Sequence, residues 1–183
     1  MGAGIIFILT VCVLILHGKR PAIIVNGDKI YEDEFTFLSK VSIGTDHRDL
    51  TDSERVVRAK IEQQYLKENG FVDHITYSSF RNKLKEENNK RQQALKSGGK
   101  VYGPQQFDMF VYYDYYYSEA RNSMISGIME NQITDQEVAE YCICLGYTGE
   151  PGEDEKNMAK YNIALQRYWF NIEQMISDAV VKK

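Results

Sequence analysis

Residues 110–128 read FVYYDYYYSEARNSMISGI, and this stretch decides the fold class. Its apolar side chains recur at spacings of 3, 4, 3, 4 and 4, which is the repeat of one helix face. The stripe consists of Phe110, Tyr113, Tyr117, Ala120, Met124 and Ile128. We predict a helix from Gly103-Pro104 to about Glu130, because proline is favoured at the first helical position. So long a stripe must be covered by other helices.

Two such partners are predicted on the carboxyl side of this helix. Thr134-Asp135-Gln136-Glu137 is a capping box that opens a helix ending at Gly146. After a loop over 147–154, a last helix is predicted over about 155–181, with a heptad-like seam. The seam consists of Tyr161, Leu165, Tyr168, Ile172, Met175 and Ala179.

Three more helices are predicted on the amino side. One covers Asp33 to Ser42, with Phe35, Leu38 and Val41 inward. A second follows the Thr51–Glu54 capping box and runs to about Asn69, before Gly70, with Val57, Ile61 and Tyr65 on one face. A third covers Ser79 to Leu95, with Phe80 and Leu84 inward. These spacings extend the helical body to most of the chain.

The first element of the domain is predicted to be a β-hairpin. Asn26-Gly27 separates the β-rich run 22–25 from residues 28–31, and this dipeptide is a strong hairpin signal. The predicted fold class is therefore mainly α, with five to six helices, a small N-terminal β-hairpin and a preceding apolar N-terminal helix.

That preceding segment, residues 1–18, is predicted to be a signal peptide or a membrane anchor. Ile5 to Leu16 is apolar except for Thr10, and twelve residues suit the apolar region of a signal peptide or a short anchor. Lys19 and Arg20 follow the run rather than precede it. We expect an uncleaved anchor with residues 19–183 outside the cytoplasm; a buried core helix is the alternative.

Composition excludes several classes. The chain has 183 residues, 43% hydrophobic and 26% charged, which excludes wholesale disorder, and its net charge of −4 gives no general footprint for nucleic acid. Three cysteines cannot form a disulfide framework. The spacings of histidines, cysteines and acids predict no metal site, and we expect Cys142 buried and Cys144 partly exposed.

The order of motifs resembles the chaperone domain of the SurA and PrsA type of bacterial extracytoplasmic foldases, which is related to trigger factor. Val25-Asn26-Gly27-Asp28-Lys29-Ile30 before the acidic helix start 32–34 is similar to the family's opening. Ile133 to Tyr141 is similar to its Thr-Asp-x-Glu helix. The resemblance implies a SurA/PrsA-like helical chaperone domain over residues 19–183.

The chain departs from the family at one point. A parvulin-type prolyl isomerase domain follows the Thr-Asp-x-Glu helix in full-length relatives, but here residues 146–154 lead directly to the last helix. Nine residues cannot enclose a core, because independent domains need about 40 or more. The family implies isomerase activity, yet no catalytic residue and no cofactor can be assigned.

The clustered tyrosines are the most specific candidate for a binding surface. Seven aromatic residues fall within Phe107 to Tyr117, more than the core stripe requires. One interpretation is a helix sandwiched between others, packed against the last helix. The functional interpretation is a partly exposed surface that binds apolar stretches of unfolded polypeptide, since tyrosine has an apolar ring and a polar tip. Its residues would be Met109, Tyr112, Tyr115 and Tyr116.

Charge is unevenly distributed along the chain. Residues 81–100 contain seven Lys/Arg and two Glu, whereas residues 130–155 contain eight acids and no Lys or Arg. These runs are either solvated faces or a bipolar surface that steers partners.

The leading hypothesis is an extracytoplasmic holdase that binds unfolded or secreted polypeptides in a crevice between the aromatic helix and the last helix. The alternatives are an accessory or immunity-type subunit with one membrane or secreted partner, and an active isomerase. Homodimerisation is left open.

Overall fold

The computed structural model describes residues 20–41 and 49–183. Within them it contains six helices and a three-stranded antiparallel sheet, which confirms the predicted fold class. The apolar segment 1–18 and its predicted helix lie outside the described residues. The elements are β1 (Ile23–Val25), β2 (Asp28–Ile30), α1 (Glu32–Leu38), α2 (Asp52–Glu68), α3 (Tyr77–Lys96), α4 (Met109–Asn131), α5 (Asp135–Cys144), α6 (Glu153–Ser177) and β3 (Val181–Lys182).

The predicted hairpin is present, and a third strand joins it from the far end of the chain. Asn26 and Gly27 adopt φ angles of 50° and 92°, the left-handed values that a tight two-residue hairpin requires. β3 then pairs antiparallel with β1, giving the order β2-β1-β3. The prediction of helix up to Val181 was therefore wrong: α6 ends at Ser177, and the chain turns to reach the sheet.

α2 is the central helix of the fold. It contacts α1, α4, α6 and β1, so that its buried residues lie around much of its circumference. The predicted face was Val57, Ile61 and Tyr65, but only Ile61 is fully buried. Polar side chains are buried as well: Lys60, Glu62, Gln63 and Gln64.

α4 begins later than predicted. Gly103 has a φ of 76° and Pro104 lies in the loop, so the proline does not start the helix. The Asp108 carboxylate instead accepts hydrogen bonds from the backbone N–H groups of Phe110 (2.8 Å) and Val111 (2.9 Å), which fixes the first turn at Met109. Except for Phe110, which is 46% exposed, the predicted stripe is buried.

The remaining helix boundaries lie close to the predicted ones. α1 ends at Leu38, short of Ser42, and α3 extends two residues before Ser79 and one beyond Leu95. Both predicted capping boxes are formed: Thr51 with Glu54, and Thr134 with Glu137. α6 begins at Glu153, two residues before the predicted start.

The buried side chains form two separate cores. The larger core joins the sheet, α1 to α4 and the second half of α6, and we call this part the body. The smaller core contains only Val138, Cys142 and Ala159 as buried side chains, and it joins α5 to the first half of α6. We call residues 135–163 the arm.

α6 links these two parts. Its seam residues Tyr168 and Ile172 are fully buried in the body against α2 and α4, so the tail of the chain folds back to complete the helical body, as predicted. Tyr161, about two turns before Tyr168 in the same seam, is 44% exposed.

Candidate functional site

The surplus aromatic residues build a continuous cluster of ten rings between α1, α3 and α4. Neighbouring ring centroids are separated by 4.4 to 6.5 Å, within or near the range of favourable aromatic contacts. The members are Phe37, Tyr77, Phe80, Phe107, Phe110, Tyr112, Tyr113, Tyr115, Tyr116 and Tyr117. Most tyrosine side chains of α4 therefore pack against other rings of the protein, as the sandwich interpretation predicted.

The predicted packing of α4 against the last helix is confirmed, and α3, which was not predicted as a partner, covers the second aromatic face. Tyr112 lies 5.5 Å from Phe80 and 5.6 Å from Phe107, and only 5% of it is exposed. Burial raises the pKa of the Tyr112 hydroxyl to about 12, with a smaller contribution from the Glu87 carboxylate. Tyr112 cannot contact a ligand in this conformation.

The other three predicted binding residues lie around Tyr112 with different exposures. Tyr115 is 42% exposed and stacks on Phe107 at 5.2 Å. Tyr116 is half-buried, with the Lys83 ammonium 5.6 Å from its ring centroid, and Met109 is half-buried with its sulfur 3.9 Å from the Tyr77 hydroxyl, which donates to it. The part of the predicted surface that faces solvent is thus Tyr115 with the edges of its neighbours.

α3 is fixed to the loop before α4 by polar contacts that the sequence did not indicate. The Asn88 amide donates to the Phe107 carbonyl (2.9 Å) and accepts from its backbone N–H (2.8 Å). Arg91 donates to the carbonyls of Tyr102 and Pro104, and its guanidinium lies 4.2 Å above the Phe107 ring. One basic side chain of the 81–100 run therefore orders a loop.

The centre of the body contains a charged network. Glu62 is fully buried, and its Oε1 accepts from Arg121 Nε and from the Tyr168 hydroxyl, both at 2.7 Å. Burial alone would lower the pKa of Arg121, but the Glu62 carboxylate raises it well above its usual value. Burial also raises the pKa of Tyr168, and the same carboxylate adds to that rise. The network ties α2, α4 and α6 together.

A second buried ion pair lies beneath the hairpin. Lys60 Nζ donates to Glu34 Oε1 at 2.7 Å and to the Ile75 carbonyl at 3.0 Å, and both side chains are at least nine-tenths buried. Burial raises the pKa of Glu34 even though Lys60 opposes that rise. The Lys60 ammonium contacts Glu34 of α1 and Ile75 of the loop before α3, so this pair holds both segments against α2.

Large apolar side chains are exposed on the arm. Met158 is 63% exposed and Tyr161 44%, although they continue the helix face that carries Tyr168 and Ile172 in the body. The same region exposes Ile143 (69%), Leu145 (59%) and Tyr147 (42%). Exposed large apolar side chains on one small part of a molecule make that part a candidate interaction site.

The arm is also strongly acidic. Of the seven acids of the arm, five are exposed: Asp135, Glu140, Glu150, Glu153 and Asp154. Three bases of α6 lie nearby: Lys156, which is 3.5 Å from Glu150, Lys160, and Arg167, which pairs with Glu137 at 2.6 Å. A basic partner would therefore be attracted to this part of the molecule.

Metal and cysteine chemistry gives no candidate site in residues 20–41 and 49–183. No group of three His, Cys, Asp or Glu side chains in these ranges could hold a metal ion. Cys142 is buried and Cys144 is exposed, as predicted, and both are free thiols. Cys12 lies outside the described residues.

Comparison with known proteins adds no assignment, because no family model, curated protein or solved structure matches this chain. Of the helices that the structure describes, none has the length and apolar content of a membrane span.

Proposed function

We propose that this protein is a chaperone-like polypeptide-binding protein, and that its arm binds apolar stretches of non-native chains. The observation that carries the proposal is the seam of α6, which is buried at Tyr168 and Ile172 but continues onto the arm at Tyr161 and Met158, where the described residues leave both side chains exposed. An apolar stripe that leaves its core in this way can be covered by a partner's apolar side chains. The resemblance to the SurA and PrsA type of chaperone domain supports the same class of ligand.

The binding surface proposed here differs from the crevice expected from the sequence. Because α3 covers Tyr112, the predicted binding residues of α4 offer mainly Tyr115 to a ligand, and the buried rings of the cluster stabilise the body. The arm offers more exposed apolar side chains, and its acidic rim favours clients that carry Lys or Arg. Binding of this kind is weak and promiscuous and requires no cofactor.

The proposal is tested by the suppression of aggregation of a chemically reduced client. We expect suppression by the wild type at stoichiometric excess, and its loss in the double variant Met158→Ser/Tyr161→Ser. Both side chains are exposed, Met158 by 63% and Tyr161 by 44%, so thermal unfolding should change little. The matched control is Phe170→Ser, which removes an equally exposed apolar side chain from the body half of α6.

Three outcomes separate the proposal from its rivals. No suppression by the wild type refutes it. Capture of one saturable, stoichiometric partner in a pull-down, in place of many weak clients, favours an accessory or immunity-type subunit. Catalysed isomerisation of a proline peptide above background would instead support an active isomerase.

The proposal includes the location of the protein. We infer that residues 1–18 anchor the chain and that the domain lies on the extracytoplasmic side, which is supported by the twelve-residue apolar run Ile5 to Leu16. Protease added to intact membrane vesicles of known orientation tests this. If the domain resists the protease to the same extent as a cytoplasmic marker protein, the extracytoplasmic location is contradicted.

A further inference from the structure

A groove of about 450 Å³ lies between the small sheet and the first turns of α2. Its apolar lining includes Ile23 of β1, Val57 of α2, Ile176 of α6 and Val181 of β3. Its polar lining includes Glu54 and Lys183. Neither the predicted binding residues nor the arm contributes to it.

One side of this groove is an open edge of the sheet. In the order β2-β1-β3, β3 has β1 on one side and no strand of the described residues on the other. The Val180 carbonyl accepts from the Asn26 backbone N–H at 2.9 Å, so the backbone groups of Val180 point toward β1. Backbone groups alternate sides along a strand, and those of Val181 therefore point away from the sheet.

The side chains of β3 show on which face of the sheet the side chains of an added strand would lie. Val181 is paired with Val25, a fully buried residue, so its side chain is on the inner face of the sheet, yet it is 41% exposed. A strand laid beside β3 would extend this inner face across the groove. Every second side chain of that strand would point toward Val57 and Ile176.

We propose that the open edge of β3 and the adjoining groove bind an extended polypeptide, which adds a fourth strand to the sheet. The incoming backbone pairs with the N–H and C=O of Val181, and alternate apolar side chains fill the groove. This mode selects apolar residues at i and i+2 and is otherwise tolerant of sequence, because main-chain hydrogen bonds supply much of the affinity. The inference rests on the proposed function for the class of ligand, a polypeptide, but not for the surface.

The test uses a fluorescein-labelled peptide in which valine and threonine alternate between terminal lysines, titrated with the full chain and followed by fluorescence anisotropy. We expect saturable binding. The same peptide N-methylated at its valine amides, which face β3 in an antiparallel pairing with the valines in the groove, cannot donate to the edge, and its affinity should be about tenfold weaker.

The matched protein variants are Val181→Pro and Val181→Thr. Proline removes only the N–H that points outward and is tolerated on an edge strand, so pairing with β1 remains possible. We expect about a tenfold loss of peptide affinity for Val181→Pro, whereas Val181→Thr keeps the donor and should bind more tightly than the proline variant. Thermal unfolding of both variants monitors the fold.

The outcomes are distinct from those of the arm. Absence of binding, or equal binding of the N-methylated and unmodified peptides, overturns the inference. A concentration-dependent doubling of mass without peptide binding also overturns it, since the edge would then join two copies of the chain. If the Met158→Ser/Tyr161→Ser variant still binds the peptide, the groove is supported as a binding site even when aggregation is not suppressed. If that variant loses suppression and the protein does not bind the peptide, the groove is refuted and only the arm is supported as a binding surface.

Discussion

The body and the arm bury their apolar side chains to different depths. The body encloses the ten-ring cluster and two buried ion pairs, whereas the arm has three buried side chains and exposes Ile143, Leu145 and Met158 by more than half. Apolar burial is the main favourable term in folding, so the body must supply most of the stability. The arm is then the part expected to open locally, which suits a surface that adapts to different partners.

The largest expected effect is alkaline unfolding of the body. Burial raises the pKa of Tyr113, Tyr117 and Tyr168, and that of Tyr112 to about 12, above the ordinary value of 10.0. A raised folded-state pKa means that the stability is complete below pH 10 and is lost as pH rises through the folded values. We expect cooperative unfolding above pH 10, followed by tyrosinate absorbance and by the fluorescence of Trp169, the single tryptophan.

The matched variants for this titration are Tyr112→Phe and Tyr102→Phe. Removing the buried hydroxyl should move the alkaline midpoint upward, and removing that of Tyr102, which is 85% exposed, should leave it unchanged. A gradual titration of all tyrosines near their ordinary pKa, with constant Trp169 fluorescence, would contradict the prediction.

Truncation of the aromatic cluster should have the next largest effect. Only 5% of Phe80 is exposed, and its ring contacts those of Phe37, Tyr112, Tyr113 and Tyr117. Phe80→Ala should lower the free energy of unfolding by about 3–5 kcal/mol in a urea titration, because a cavity remains. Phe170→Ala, on an exposed side chain, should change it by no more than about 0.5 kcal/mol. Equal effects would show that the two rings do not differ in burial.

Breaking the charged network of the body should lower the free energy of unfolding by about 3 kcal/mol. Glu62→Gln leaves the largely buried Arg121 without its carboxylate, and breaking a buried pair by removing one partner costs about 3–5 kcal/mol. Adding Arg121→Met should restore part of the loss, because the unpaired charge is then removed as well. If the two losses add fully in a double-mutant cycle, the residues are not coupled.

The smallest effect compares the two capping boxes, which have the same residues in different surroundings. Thr51→Ala and Thr134→Ala each remove a side-chain acceptor worth about 1 kcal/mol to its helix. Thr51→Ala should lower the global free energy of unfolding, whereas Thr134→Ala should speed amide hydrogen exchange in the arm and leave global unfolding nearly unchanged. Equal global losses would show that body and arm unfold as one unit.

Both boxes should also respond to acid. Hydrogen bonds from Thr51 and Thr134 hold the pKa values of Glu54 and Glu137 below 4.5. A lowered folded-state pKa gives stability that is present above the ordinary value and is lost as pH falls through the folded one. The protection factors of amides in the first turns of α2 and α5, which compare the measured exchange rate with the intrinsic rate at each pH, should therefore fall below pH 4.5 in the wild type. The Thr→Ala variants should show a smaller fall in these protection factors.

Local signals in the sequence predicted most of the architecture. Asn26-Gly27, the two capping boxes and the spacing of Tyr117 and Met124 each act over a few residues, and each led to an element that the structure contains. The last seam predicted that α6 closes the body, and Tyr168 and Ile172 confirm it.

Tertiary contacts explain what the sequence could not predict. β3 has two residues, too few to show alternation, and it forms only because β1 offers an edge. Glu62 and Lys60 are buried because partners on α4, α6 and α1 neutralise them, and nothing within α2 itself indicates that. Tyr112 lost its predicted accessibility for the same reason: α3 and Phe107 cover it.

The pairing of β3 with β1 has a consequence for the order in which the chain assembles. Asn26 and Val180, which exchange hydrogen bonds there, are 154 residues apart, so β1 leaves the ribosome long before the strand that completes its sheet. Contacts of such high sequence separation slow folding, and an unpaired strand is prone to aggregate while it waits. A nascent chain of this protein would itself require protection until translation has passed Lys182.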